Sequence, residues 1–410
     1  MNTGDTAWIL VSTALVFSMT IPGLAFFYGG LVRRKNVLSI LMQCFTIVAI
    51  ISIQWVLYGY SLAFGPDMGF GIIGNLSWTG LKGVGGTPYS DYSSTIPHSL
   101  FMAFQCMFAI ITPALMTGAF AERMKFSAFL PFIILWSTFV YDPLAHWVWG
   151  TGGWMKSLGG LDFAGGIVVH ASSGISALVI CLLLGKRAGY LKEPFRPHNL
   201  PYTVLGGSLL WIGWFGFNAG SALGANEVAT HAFITTLIAP SAAGLTWAIV
   251  EWFENGKPTI LGTVTGALAG LVAITPACGY VNVMNAIIIG IVASALCYIF
   301  VVKIKPRLGY DDSLDAFGIH GAAGIWGTIA VGLFAEKAVN STGVDGLFFG
   351  GAQLMPQLVM AIAAPLYAAV ATFVIYKVVD LTLGLRVKEK DETIGLDLTQ
   401  QGEAAYTVIE

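Results

Sequence analysis

The sequence predicts an all-α membrane protein of eleven transmembrane helices, arranged as an inverted 5+5 repeat plus one extra helix, with the N-terminus outside and the C-terminus cytoplasmic. Three observations carry this: too few charges for a soluble surface, a series of apolar segments of bilayer length, and basic residues confined to alternate connections. Of the 410 residues, 56% are hydrophobic and 10% charged; a soluble domain has about 25% charged residues. The outside of this chain must therefore face lipid. A formal net charge of −2 offers nothing to nucleic acid. The five cysteines, Cys44, Cys106, Cys181, Cys278 and Cys297, mostly sit in apolar runs without CxxC spacing and read as small buried hydrophobes.

Crossing the hydrocarbon takes about 20 apolar residues of helix. In order, the segments that qualify run over 7–32, 39–64, 98–120, 127–149, 162–185, 201–222, 231–252, 259–277, 283–302, 316–335 and 352–381. The first begins after Asp5 and lacks the basic region of a secretory signal, so it is expected to stay in the mature protein. The eighth contains Gly262-Thr-Val-Thr-Gly-Ala-Leu-Ala-Gly270, small residues suited to close helix contact. Connection 65–97 is rich in Gly, Ser and Thr, and reads equally as an ordered cap or a mobile loop. The expected division is a membrane domain over 1–383 and a cytoplasmic tail over 384–410, which composition alone reads as disordered and charged.

Orientation follows from the basic residues. One set of connections holds Arg33, Arg34, Lys35, Arg123, Lys125, Lys186, Arg187, Lys192, Arg196, Lys257, Lys303, Lys305, Arg307, Arg386, Lys388 and Lys390; the other holds Lys82, Lys156 and Lys337. That asymmetry places the first set in the cytoplasm, and it alternates correctly only for an odd number of spans.

Two spans share a spacing: Asp162, His170, Gly174 in the fifth and Asp312, His320, Gly324 in the tenth. The fifth enters from outside and the tenth from inside, so the repeat is inverted, with a site expected near the midplane. Eight helical residues rise about 12 Å, which carries each histidine into the hydrocarbon. A lone histidine there is commonly an interhelical hydrogen-bond partner; two at symmetry-related positions point to a pathway or proton relay. Burial favours neutral rings, which can share a proton and offer a donor or acceptor to a small polar molecule. No cluster of metal ligands accompanies them, and no nucleophile elbow or HExxH supports catalysis, so neither a metal, a cofactor nor an enzymatic site is expected. Asp162 reads first as a helix cap and alternatively as a direct cation ligand.

Most of the tryptophans read as interfacial anchors. Phe108, Trp149 and Ser221 are expected to do more if they converge, since an aromatic face and a hydroxyl together suit a dehydrating monovalent cation that donates hydrogen bonds. Phe108 and Phe217 would then form a barrier beneath it.

With these residues the chain resembles the ammonium transporter family (the Amt/Mep/Rh group), specifically its prokaryotic Amt branch. The similarity runs from Pro22-Gly-Leu-Ala-Phe-Phe-Tyr-Gly-Gly-Leu-Val-Arg-Arg-Lys-Asn36 to the tail and includes Asp162-Phe-Ala-Gly-Gly-Ile-Val-Val-His170. The resemblance implies an ammonium transporter of the prokaryotic plasma or inner membrane, a homotrimer with one pore per subunit and methylammonium as substrate analogue. Phe108, Trp149 and Ser221 match its recruitment site, Phe108 and Phe217 its stacked gate, His170 and His320 its twin histidines, and Asp162 its structural aspartate, for which Asp312 is the repeat's counterpart. The connection from Trp149 to Asp162 looks one residue longer than in some relatives and is expected to stay clear of the pore. The tail, with Gly384, Arg386, Asp391, Gly395, Asp397 and Tyr406, resembles one that binds a PII-type signalling protein. Two rival readings are a passive gas or water channel, against which the mouth of Trp149 and Ser221 argues, and an ammonium receptor, which is expected to carry a fused signalling domain.

Overall fold

The protein's computed structural model describes residues 1–406. Ten helices are long and apolar enough to cross a membrane: α1 (Thr3–Leu31), α2 (Arg34–Phe64), α3 (His98–Phe120), α4 (Phe126–Ser157), α5 (Gly166–Leu184), α6 (Leu200–Gly220), α7 (Glu227–Asn255), α9 (Val283–Leu308), α10 (Phe317–Phe334) and α11 (Leu354–Leu383). Between α7 and α9 lies α8 (Ile260–Ile274), apolar but only 15 residues long. The sequence placed a full-length span there. The helix instead gives way at Thr275 to a buried turn through Pro276, where a proline cannot continue the regular hydrogen bonding. From Gly266 onward every residue of α8 is buried, as its small-residue pattern allows against α7, α9 and α10.

Helix α3 is the central post, with every residue from Phe108 to Phe120 buried. Lipid-facing positions are apolar, among them Phe45, Ile53, Leu245, Ile291, Leu366 and Val374, all exposed on the bundle's outside. Glycines make the close crossings. A Cβ on Gly206 would lie 2.1 Å from Phe27 N, which holds α6 against α1, and one on Gly290 would lie 2.2 Å from Ala239 O, which holds α9 against α7. The five cysteines are free and buried.

Several helices contain π-helical turns, and two of these carry the histidines: Gly166–Ala171 holds His170 and Phe317–Gly321 holds His320. Such turns widen a helix locally and re-aim its side chains.

Composition alone reads the tail as disordered, and the structure corrects this. Residues 384–406 pack along the basic end of the bundle as a short helix, α12 (Glu389–Ile394), and a further turn, Asp397–Gln401. The order comes from backbone pairing that composition cannot report. Lys125 N donates to Leu385 O (2.8 Å), Val387 N to Arg123 O (3.0 Å), Leu396 N to Asn36 Oδ1 (2.8 Å) and Ser39 N to Asp397 Oδ1 (2.8 Å). Arg386 donates to Leu184 O (2.9 Å), Lys186 O (2.6 Å) and Glu392 (3.0 Å), and Glu392 accepts from Ala188 N (2.6 Å). Gly384 ends α11 at φ 66° and Gly395 ends α12 at φ 117°, conformations that suit glycine. The Tyr406 hydroxyl lies 2.9 Å from His198 Nε2. Asp391 closes its turn through its carbonyl, which accepts from Gly395 N (2.9 Å).

Candidate functional site

The two aspartates of the repeated spacing do the same job at opposite ends of the bundle. Asp162 accepts from Gly165 N (2.8 Å), Gly166 N (2.7 Å), Ile167 N (2.8 Å) and Val168 N (3.3 Å), the donors that a helix start leaves without partners. Asp312 accepts from Ala316 N (3.1 Å) and Phe317 N (2.8 Å) at the start of α10. Each cap fixes where its helix begins, and so how deep the histidine about one turn into that helix lies.

The histidines meet. Nδ1 of His170 and Nδ1 of His320 are 3.3 Å apart, with ring centroids 5.3 Å apart and planes inclined by 17°. Their helices touch at glycine, since a Cβ on Gly174 would lie 2.1 Å from Gly321 N and one on Gly324 would lie 2.8 Å from Gly166 O. Between two neutral rings, an Nδ1···Nδ1 hydrogen bond uses one proton. Whichever ring supplies it keeps a bare Nε2, and the other keeps an Nε2–H, so the pair always presents one acceptor and one donor. His170 Nε2 is buried without a protein partner. Trp214 stacks on the His170 ring at 5.3 Å.

The aromatic residues converge as well. Phe108 lies 4.4 Å from Phe217 and 5.8 Å from Trp149, centroid to centroid. Phe217 in turn lies 5.9 Å from His170, so the rings form one continuous series. Trp149 Nε1 donates to Asp162 O (2.9 Å), which ties the mouth to the capped turn. Ser221 Oγ donates to Phe217 O (2.8 Å), and its two lone pairs stay free for a ligand.

Two cavities flank this series. The outer, about 510 Å³, is lined by Phe108, Trp149, Asp162 and Ser221 among others. The inner, about 220 Å³, is lined by His170, His320, Trp214, Leu115 and Ile319, and farther along by Glu251 and Asp315. Phe108 (1% exposed) and Phe217 (0%) separate them. The segment from Trp149 to Asp162, expected to stay clear of the conduit, supplies Lys156 from the end of α4 and Gly160 and Leu161 from the connection after it to the outer wall. Among the described residues no three His, Cys, Asp or Glu side chains gather as a metal site.

Sequence reasoning missed the support behind the mouth. His146, one turn before Trp149, is fully buried, with Nδ1 3.0 Å from Ala63 O and Nε2 3.1 Å from Asp67 Oδ1. In the connection after α2, burial raises the Asp67 carboxyl, but the hydrogen bond from His146 and those from Gly69 and Gly71 leave it below the ordinary carboxylate value. The signal available in the sequence was His146 at i−3 from Trp149; its partner 79 residues away was not visible.

Bundle, caps, ring series and paired imidazoles define a multi-pass membrane transporter or channel with a conduit closed by aromatic rings. Comparison with known proteins makes the class specific. The model of the Ammonium Transporter Family matches residues 7–406. The ammonium transporter of Bacillus subtilis (strain 168) is 57% identical over 407 residues, 99% of this chain and 99% of its own. Ammonium transporter Amt1 of Archaeoglobus fulgidus is 48% identical over 409 residues, 99% of this chain and 100% of its own. The crystal structure of Candida albicans Mep2 superposes with a TM-score of 0.90 at 38% identity, over 99% of this chain and 90% of that one. The chain belongs to the ammonium transporter family, whose members are membrane transporters and not enzymes.

Proposed function

We propose that this chain recruits ammonium at Phe108, Trp149 and Ser221, strips a proton from it above the Phe108–Phe217 gate, and passes ammonia along His170 and His320. The observation that carries this reading is the 3.3 Å contact between the two Nδ1 atoms, on the inner side of the ring series. An ammonium ion in an apolar tube loses its water at a cost of several kcal/mol or more, whereas neutral ammonia loses far less. Potassium and sodium have no proton to give up and so bear the full cost. The histidine pair offers ammonia one acceptor and one donor in an otherwise apolar wall, and the same shared proton gives a route for charge to move apart from the nitrogen.

The finer architecture belongs to the same proposal. Helix α8 and the turn after it serve as an eleventh crossing, which keeps the basic connections on the cytoplasmic side and makes the α5 and α10 segments inverted counterparts. Residues 1–383 act as the transport domain and 384–410 as a cytoplasmic tail, of which the described part, 384–406, packs on the bundle. The chain works as a homotrimer in a prokaryotic plasma or inner membrane, takes methylammonium as an analogue, and is regulated by a PII-type protein at the tail. Similarity to the Bacillus subtilis transporter along essentially the whole chain supports these assignments.

The test is current recording in proteoliposomes with the His170→Ala/His320→Ala double variant. Loss of ammonium-over-potassium selectivity, by about 10-fold or more, is expected from removal of the barrier to hydrated cations. Selectivity equal to that of the wild type would refute the histidine role.

A further inference from the structure

The outer cavity contains a cation of the protein's own. Lys156, exposed in the last turn of α4, donates from Nζ to Trp149 O at 3.1 Å and stands 5.9 Å from the centroid of the Tyr92 ring. Lys156, Tyr92 and Asp91 all line the cavity that Phe108, Trp149 and Ser221 open into. Both contacts are to uncharged groups, and among the described residues no carboxylate lies within ion-pair distance of Lys156. A lysine head held by a carbonyl and an aromatic face is a primary ammonium ion in a binding site made for ammonium ions. It has the charge of ammonium, three of its four N–H donors and the chemistry of methylammonium, on a flexible tether.

We propose that Lys156 is a tethered competitor. Its ammonium occupies an outer station of the vestibule, formed by the Trp149 carbonyl and the Tyr92 face, that accepts small monovalent ammonium ions. An incoming ion displaces the side chain and meets its positive charge. Lys156 therefore sets the affinity of recruitment, while permeation past the rings and histidines is independent of it. The inference rests on the outer cavity being the recruiting mouth.

The experiment is concentration-dependent uptake of radiolabelled methylammonium by proteoliposomes at fixed pH, with wild type, Lys156→Met and Lys156→Arg. Methionine keeps the apolar stem and removes the charge; arginine keeps the charge. In Lys156→Met the KM is expected to fall about two- to fivefold, the range for one charge at the rim of a hydrated cavity at physiological ionic strength. The difference should shrink as sodium chloride is raised. Lys156→Arg should stay on the wild-type side of that shift. A KM that is unchanged or higher in Lys156→Met, or equal shifts in both variants, overturns the proposal while leaving the recruiting mouth intact. A wild type that takes up no methylammonium overturns both.

Discussion

Replacing Asp162 by alanine separates a structural cap from a substrate ligand. Its two carboxylate oxygens take four backbone N–H groups, three of them at 2.7–2.8 Å, at a site where the side chain is 6% exposed. A buried donor left without an acceptor costs about 1–3 kcal/mol. Losing the three shorter bonds therefore costs roughly 3–9 kcal/mol, against a typical folding stability of about 5–15 kcal/mol. Asparagine keeps one carbonyl oxygen but aims an amide N–H₂ at the other donors, so about half the penalty is expected. The assay is thermal unfolding of the detergent-solubilised protein, with uptake measured on the same preparations. The expected order is wild type, then asparagine, then alanine, with uptake following stability. An alanine variant that melts like the wild type yet no longer takes up ammonium would refute the capping account and make Asp162 a substrate ligand.

Two further outcomes follow from the packing. Gly174→Ala places a methyl group 2.1 Å from Gly321 N and 2.4 Å from its Cα; relief requires α5 and α10 to part where they hold the histidines, at a cost of about 1–3 kcal/mol. Uptake should fall by more than the melting temperature explains, and unchanged uptake would show that the histidine contact tolerates separation. At the basic end, Glu122 lies 2.7 Å from Arg33 and 3.3 Å from Arg187, and Arg187 also holds Asp311 at 2.8 Å. Glu122→Gln strands buried guanidinium charge and is expected to cost about 3–5 kcal/mol in thermal stability; a smaller loss than 1 kcal/mol would count against a buried pair. Burial raises both carboxyls, but Arg187 and Arg33 for Glu122, and Arg187 and Arg123 for Asp311, hold them below the ordinary carboxylate value. A depressed folded value means the stabilisation is complete above the unfolded carboxylate pKa of about 4 and is lost as pH falls through the lower folded values. Protection of the amides of residues 385–397 against hydrogen exchange, taken relative to the intrinsic rate at each pH, should therefore fall below about pH 4, and protection independent of pH would disconnect the cluster from tail docking.

The arithmetic of local structure made much of this molecule readable. Hydrocarbon thickness and helix rise placed ten long helices, with every end within about five residues except those of α4 and α9, which run on to Ser157 and Leu308; hydropathy is a property of each segment alone. The shared spacing of Asp162–His170 and Asp312–His320 was readable for the same reason, since a capping carboxylate and a histidine in the first turns of the helix it caps belong to one short stretch of chain. The apolar run over 259–277 is helical only over Ile260–Ile274, because the buried turn at Thr275 and Pro276 ends the helix. The tail was misjudged because its order comes from pairing with Arg123, Lys125 and Asn36, more than 250 residues earlier in the chain.

What the sequence determined by itself was therefore the kind of environment, the helices, and the residues capable of acting at a site. What the tertiary structure alone decided was separation. Glycine at 174 and 321 lets two backbones approach until the imidazole Nδ1 atoms lie 3.3 Å apart; the π-helical turns aim those rings; Phe108, Phe217 and Trp149, from three different helices, become one series. Distances between helices depend on how side chains from distant segments fill the space between them, and no local pattern encodes that.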